Sequence, residues 1–199
     1  MRFDKVLFAS ALVLALGSAW AQADQARAKK IVSGSCFLCH GENGESSSEI
    51  FPKLAGQHAE YIAKQLENFK TGKRKSTAMA DMSSRLSADE MLALGQYFES
   101  KPAEPEVVKD TELAGVGRYL FNNGNQPAGV PACASCHGKD GLGTANLPRL
   151  AGQYASYIET QLKLFNQRER TNDNAVMHAI VSKMTALEMA AVAAYISGK

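Results

Sequence analysis

The sequence predicts an all-α protein that is built from two tandem domains of similar size. The first observation is an internal repeat, in which short motifs of the first half recur in the same order in the second half. The second is that apolar residues recur every three or four positions, without the strict alternation that is typical of a half-buried strand. A length of 199 residues is enough for two small domains.

The first residues of the chain are typical of an export signal. Arg2 and Lys5 precede an apolar run over residues 6–16, and residues 21–23 read Ala-Gln-Ala, an Ala-x-Ala cleavage pattern. We therefore predict a signal peptide over residues 1–23. The alternative is an uncleaved membrane anchor, but the uncharged run over residues 6–21 is shorter than the roughly 20 residues that a spanning helix needs.

Each half of the mature chain has the periodicity of a helical domain. We predict a first helix over about residues 24–32, with a counterpart over about 111–121. A second helix carries Ile62, Leu66 and Phe69 on one face, because their spacing is i, i+4 and i+7. The same face recurs in the second half as Ile158, Leu162 and Phe165. These helices are expected to bury one apolar face in each domain.

The last helix of each half begins with a capping box. The motif reads Ser87-x-x-Glu90 in the first half and Thr185-x-x-Glu188 in the second, and in such a box each side chain bonds to the backbone of the other residue. Met91 and Met189 follow inside these helices, where we expect them to pack in the core, because a flexible thioether fills irregular gaps well.

A short proline-rich segment separates the two halves. Residues 101–106 read Lys-Pro-Ala-Glu-Pro-Glu, and two prolines among charged residues are typical of a stiff, extended linker. We therefore divide the mature chain into an N-terminal domain over residues 24–103 and a C-terminal domain over residues 104–199. Because the linker is short, the two domains are expected to lie close together.

All four cysteines lie in two Cys-x-x-Cys-His motifs, at residues 36–40 and 133–137. This motif is the attachment signal for haem c, in which the two sulfurs bond covalently to the porphyrin. We therefore predict two covalently bound haem c groups, held by Cys36, Cys39, Cys133 and Cys136. Structural disulfides, a zinc site and a thioredoxin-like thiol pair are alternatives. They leave unexplained why a histidine follows both pairs.

The histidine of each motif, His40 or His137, is the predicted axial ligand on one face of the iron. Only His58 and His178 remain as other histidines, and neither recurs in the other half, so we expect both to be ordinary side chains. Methionine does recur, since Met79 and Met177 each lie eight residues before a capping box. We predict that they are the second axial ligands.

Two further methionines stay as alternatives to these ligands. Met82 is the second candidate in the first half, and Met184 is its approximate counterpart in the second. A thioether ligand opposite histidine raises the reduction potential of a haem iron. The donor set that we favour therefore predicts electron transfer.

A second repeated motif follows each cysteine motif and reads Pro-Lys/Arg-Leu-Ala-Gly-Gln, beginning at Pro52 and Pro148. A histidine that binds a metal usually donates its other ring N–H to an acceptor, and a proline carbonyl in a rigid loop is a suitable one. A simple turn is the alternative. Several polar residues that follow are candidates for bonding haem propionates or for plain solvation: Gln57, Gln153, Tyr61, Tyr157, Arg74 and Arg170.

The combination of these motifs resembles the dihaem cytochrome c4 family. Each cysteine motif is followed by Phe/Leu-Pro-Lys/Arg-Leu-Ala-Gly-Gln, then by Tyr-x-x-x-Gln-Leu, then by a late methionine, and the resemblance spans essentially the whole mature chain. It implies two class I cytochrome c domains, related by a pseudo-two-fold axis and each wrapped around its haem. It also implies His/Met ligation by His40 with Met79 and by His137 with Met177. The short basic segment over residues 71–77, before Met79, departs from the family pattern.

The resemblance also implies a function and a location. The family carries electrons in the bacterial periplasm from the quinol:cytochrome c reductase to terminal oxidases, often loosely associated with the inner membrane. We therefore expect an electron carrier with redox protein partners, not an enzyme, and no small-molecule substrate. The alternative is a dihaem redox enzyme of the peroxidase or thiosulfate dehydrogenase type. A net charge of +2, without a basic cluster typical of nucleic-acid binding, predicts no nucleic-acid partner.

Overall fold

The computed structural model describes residues 24–199. The predicted signal peptide over residues 1–23 lies outside the described residues. Within residues 24–199 no helix has both the length and the apolar composition that crossing a membrane requires. The described part of the chain is helical, and its β-type pairing is confined to two isolated bridges, Asn125 with Val130 and Thr144 with Leu147. The predicted all-α class is confirmed.

In the N-terminal half the first helix runs directly into the cysteine motif. The chain is α-helical over residues 24–31 (α1), passes through a π-helical turn at Val32–Cys36 and continues as Phe37–His40 (α2). Three helices follow: Ala59–Lys70 (α3), Thr77–Ser83 (α4) and Ala88–Glu99 (α5). The C-terminal half has five helices: Thr111–Asn123 (α6), Ala134–His137 (α7), Ala155–Asn166 (α8), Val176–Val181 (α9) and Ala186–Ser197 (α10).

The predicted apolar faces form a separate core in each half. In the first half Ile62 on α3 packs with Val32, Leu94 and Phe98. In the second half the core contains Phe121, Ile158, Val192 and Ile196, and a smaller cluster beside it contains Phe165, Val181 and Met189. Met91 and Met189 are each only 2% exposed, which confirms the prediction that they pack in the core.

Two helix crossings bring backbones into direct contact at a glycine. A Cβ atom added at Gly95 on α5 would lie 2.3 Å from the carbonyl oxygen of Ala59 on α3, and one added at Gly117 on α6 would lie 1.8 Å from that of Ala191 on α10. These helices can approach so closely only because glycine has no side chain. Both predicted capping boxes are present at the starts of α5 and α10.

The two halves are joined by reciprocal hydrogen bonds. The Gln57 side chain donates to the carbonyl oxygen of Arg149 (3.0 Å) and accepts from its N–H (2.8 Å), and the Gln153 side chain does the same with Lys53 (2.9 and 3.0 Å). A contact in which each partner repeats the other's role is what a two-fold relation produces. The domains therefore do lie close together, while a boundary between residues 103 and 104 remains a prediction.

Candidate haem-binding sites

Each cysteine motif forms a helical turn that presents two sulfurs and an imidazole. Cys36 closes the π-helical turn and His40 ends α2, whereas Cys133 precedes α7 and His137 ends it. Residues three apart in a helix lie on one side of it, so the two sulfurs of each motif are neighbours. Within residues 24–199 none of the four cysteines is in a disulfide, and Cys136 is the most exposed of them.

Cys36 and Cys133, the first cysteine of each motif, lack the lowered pKa of zinc-binding or redox-active thiols. Burial raises the pKa of Cys36, and it raises the pKa of Cys133 to about 11. A zinc ligand or a redox-active cysteine instead needs a lowered pKa, because the thiolate is the form that binds zinc or attacks a disulfide. Within residues 24–199 no group of three or more His, Cys, Asp or Glu side chains is arranged to hold a metal ion. These observations favour neither a zinc site nor a thioredoxin-like pair.

The two motif histidines are oriented in the same way. Both are buried, and their Nδ1–H groups donate to the carbonyl oxygens of Pro52 (2.9 Å, from His40) and Pro148 (3.2 Å, from His137). The predicted proline contact is therefore present in both halves. Because a carbonyl can only accept, Nδ1 carries the proton and Nε2 is left to bind a metal.

The electrostatics of these histidines suit iron binding. Burial lowers the pKa of His40 and of His137, and the hydrogen bond to the proline carbonyl offsets that effect in part. The rings are therefore neutral near pH 7, and a neutral imidazole is the form that binds a metal.

Met79 and Met177 occupy matching positions on the short helices α4 and α9. Both are half-buried, and in both the backbone N–H donates to a side chain that precedes the helix: Ser76, the N-cap of α4, for Met79 (3.3 Å) and Asp173, two residues before the N-cap of α9, for Met177 (2.5 Å). Met177 also packs against the cluster of Phe165, Val181 and Met189. These hydrogen bonds hold the first turn of each helix and so hold the methionine that the turn carries.

The alternative methionines lie in different surroundings. Met82 is 48% exposed, and Met184 packs against both apolar clusters of the second half. Each half therefore offers two thiols in one helical turn, an imidazole with Nε2 available and a half-buried thioether. These donors fit a covalently attached haem with one nitrogen and one sulfur ligand.

The two other histidines have structural roles, as expected. The Nδ1–H of His178 donates to the carbonyl oxygen of Phe165 (3.0 Å), and its Nε2 accepts from Arg168 (3.0 Å), so both ring nitrogens are used. The Nε2–H of His58 donates across the domain interface to the carbonyl oxygen of Leu142 (2.8 Å).

The polar residues that were candidates for propionate contacts meet each other across the interface. Arg74 donates to the Tyr157 hydroxyl (2.8 Å) and Arg170 donates to the Tyr61 hydroxyl (2.9 Å). Both guanidinium groups also donate to the side-chain oxygens of Gln65 and Gln161, at the following distances: 2.9 and 2.9 Å from Arg74, and 3.3 and 2.7 Å from Arg170. We call these six residues the arginine–glutamine cluster.

The cluster carries positive charge without a nearby carboxylate. Arg170 is 8% exposed, and within residues 24–199 neither Arg170 nor Arg74 forms an ion pair. Each guanidinium lies over an aromatic ring of its own domain: Phe69 for Arg74 (4.7 Å) and Phe165 for Arg170 (4.5 Å). The sequence indicated these residues through the repeat, but it did not show that they join the two domains.

Comparison with known proteins defines the class. The family model described as cytochrome c matches residues 25–120 and residues 116–198. The chain is 41% identical to cytochrome c4 of Thiocapsa roseopersicina, over 89% of this chain and 91% of the relative. It is 34% identical to a thiosulfate dehydrogenase electron acceptor of Thiomonas intermedia, over 95% of this chain and 87% of the relative.

A solved structure agrees with these sequence matches. The crystal structure of reduced recombinant cytochrome c4 from Pseudomonas stutzeri superposes with a TM-score of 0.81 at 35% identity, over 89% of this chain and 97% of that chain. The fold and its two sites thus define a two-domain c-type cytochrome, an electron carrier with two covalently bound haem c groups and redox protein partners. The chain belongs to the dihaem cytochrome c4 family.

Proposed function

We propose that this chain carries electrons in the periplasm from a quinol:cytochrome c reductase to terminal oxidases, without substrate chemistry of its own. The observation that carries the proposal is that both halves offer the same donors, each with an imidazole held by a proline carbonyl. The residues assigned to the haems are, for covalent attachment, Cys36, Cys39, Cys133 and Cys136, and for the iron, His40, Met79, His137 and Met177. Haem c supplies reversible one-electron chemistry when it is bound.

The residues around each site favour small structural change on electron transfer. The four donors are held in place: a side chain accepts from the backbone N–H of Met79 and of Met177, and both histidines are buried. A thioether ligand also stabilises the reduced form and so raises the potential. Two similar sites in one chain can hold two electrons or pass one electron between the domains.

Export and redox partners form the finer part of the proposal. The N-terminal sequence is typical of an export signal, and covalent haem attachment of this type takes place outside the cytoplasm. The proposed location is therefore the periplasm. One relative is named a thiosulfate dehydrogenase electron acceptor, and its name states that it receives electrons from a thiosulfate dehydrogenase. The test therefore includes thiosulfate beside a quinol-linked donor.

The test uses the holoprotein with purified quinol:cytochrome c reductase and, separately, with membrane vesicles that contain a terminal oxidase. We expect fast reduction of both haems by quinol through the reductase, and reoxidation in air through the oxidase. Hydrogen peroxide and thiosulfate, each added without another protein, should give no turnover. Turnover of either compound would favour the enzyme alternative, and failure of the reductase to reduce the protein would contradict the proposed route.

A further inference from the structure

A polar cleft opens between the domains beside the arginine–glutamine cluster. It has a volume of about 300 Å³, and six residues line it: Lys64, Asn68, Lys73, Thr171, Asn172 and Asn174. One wall therefore comes from the N-terminal half and the other from the C-terminal half. Asn172 also donates to the side-chain oxygen of Gln65 (2.9 Å), so the cleft adjoins the cluster directly.

The cleft is separate from the apolar cores. Lys64 and Asn68 are four residues apart on α3 and share a side of that helix, whereas Ile62 and Phe69 point into the buried part of the domain. The cleft thus lies on a face of α3 that the core does not use.

The lining offers positive charge and an amide. Within residues 24–199 neither Lys64 nor Lys73 forms an ion pair, although Glu60 and Glu67 lie on the same helix as Lys64. Asn68 lines the cleft and is 7% exposed, and since no buried side-chain N or O atom among the described residues lacks a partner, its amide keeps contact with solvent at the cleft.

The residues that correspond to Lys64, Asn68 and Lys73 in the C-terminal half have none of these features. Arg74 and Arg170 are equivalent residues of the repeat. At the same spacing, the equivalents of Lys64, Asn68 and Lys73 are Thr160, Leu164 and Glu169. The second position therefore has an apolar residue and an acidic one where the first has an amide and an ammonium group. The change at three positions leaves one polar, cationic cleft where an exact repeat would give two.

We propose that the cleft binds a small oxyanion of the phosphate or sulfate type. Lys64 and Lys73 supply the charge, and the side-chain N–H groups of Asn68 donate to the anion, because charge-assisted hydrogen bonds are the strong ones at such sites. Asn172 and Thr171 contact the anion from the opposite wall. The bound anion therefore links the two domains and stabilises their contact.

The test is calorimetric titration of the holoprotein with sodium phosphate, and then with sodium sulfate, at an ionic strength held constant with sodium chloride. We expect saturable binding at one site and a higher thermal unfolding temperature in phosphate than in chloride. Asn68→Leu and Lys73→Glu import the residues of the other half, and each should weaken binding about tenfold or more. Lys73 is exposed, so its replacement leaves folding intact even where Asn68→Leu does not.

The control is Lys29→Glu, which makes the same change of charge on the exposed part of α1, away from the cleft. We expect its affinity to match that of the wild type. Absence of saturable binding in the wild type would overturn the proposal. Equal weakening by Lys29→Glu and Lys73→Glu would also overturn it, because the response would then be one of overall charge.

Discussion

The two halves reach their cysteine motifs by different routes. In the first half α1 continues through the π-helical turn Val32–Cys36 straight into the motif. In the second half α6 ends at Asn123, and a loop that contains the bridge between Asn125 and Val130 comes before Cys133. Both histidines nevertheless donate to a proline carbonyl. The histidine–proline contact of the motif is therefore the same in both halves, whereas the backbone that leads into the motif differs.

A second difference lies on the methionine side. Helix α4 begins at a serine cap with an extended backbone, whereas α9 begins after Ala175, whose φ of 64° is in the left-handed region. An aspartate rather than a serine accepts from the methionine N–H in the second half. Two different local solutions thus give the same methionine position, which favours a shared role for Met79 and Met177.

The interface keeps its contacts even where residue types change. His58 donates to the carbonyl oxygen of Leu142, and its counterpart Tyr154 donates to that of Ser46 (2.5 Å). An imidazole N–H in one half and a phenol O–H in the other thus make equivalent hydrogen bonds to a backbone carbonyl. The requirement at this position is a long, rigid donor, and either side chain meets it.

The largest predicted effect concerns the helix crossing of the second half. In the first half Ala28 and Val32 are fully buried, and in the second half Gly117 and Phe121 are buried on α6. Gly117→Ala should lower the free energy of unfolding by about 3 kcal/mol, because the added methyl meets a backbone carbonyl that cannot move without separating the helices. Chemical denaturation of the holoprotein measures the change.

Gly115 provides the matched control, because it lies on the same helix and a Cβ added there meets nothing within 4 Å. Gly115→Ala should be neutral or should stabilise the protein by about 0.5–1 kcal/mol, since alanine is the better helix former. If Gly117→Ala and Gly115→Ala had the same free energy of unfolding, the close helix contact at Gly117 would not affect stability.

The next effect separates the two iron sites. Met177→Ala and Met79→Ala should each lower the potential of one haem by on the order of 0.1 V, because a soft ligand of the reduced iron is lost. A spectroscopic redox titration shows each change, together with loss of the methionine-to-iron absorption from one site. Met82→Ala is the control and should leave both potentials in place. The opposite result, with Met82 sensitive and Met79 silent, would reassign the ligand of the first half.

The sequence predicted most of what repeats, and much less of what differs. The helices with a clear apolar face, the two capping boxes, the buried Met91 and Met189 and the proline contacts all follow from local patterns. The short helices α4 and α9 have too few turns to show a periodicity.

The pairing of Arg74 with Tyr157, and of Arg170 with Tyr61, was also beyond the sequence. It depends on how the two domains dock, and local sequence patterns do not show which polar groups meet across an interface. The repeat marked these residues as important but left propionate binding, solvation and docking equally open.

A smaller effect tests the symmetry of the interface. Gln57→Ala and Gln153→Ala should each cost about 1–2 kcal/mol of stability, because each leaves a backbone N–H and a backbone carbonyl of the other domain without a partner. Thermal unfolding of the two holoprotein variants measures both costs under one set of conditions. Nearly equal values are expected, and a clear inequality would show that one reciprocal pair dominates the docking.

The smallest effect distinguishes the two capping boxes by their outer partners. The pKa of Glu90 is lowered, first by the backbone N–H of Ser87 and further by Arg27, and that of Glu188 is lowered by the backbone N–H of Thr185 and the amide of Asn125. A carboxyl whose folded pKa lies below its ordinary value of 4.5 adds stability above that value and loses it as the pH falls through the folded pKa.

Glu90→Gln and Glu188→Gln should therefore cost about 0.5 kcal/mol each at pH 7, and the cost should shrink below about pH 4. Within residues 24–199 Glu90 has a charged partner and Glu188 has none, so added salt should reduce the cost of Glu90→Gln and leave that of Glu188→Gln nearly unchanged. Equal salt dependence of the two variants would show that Arg27, which is largely exposed, contributes nothing measurable to the first box.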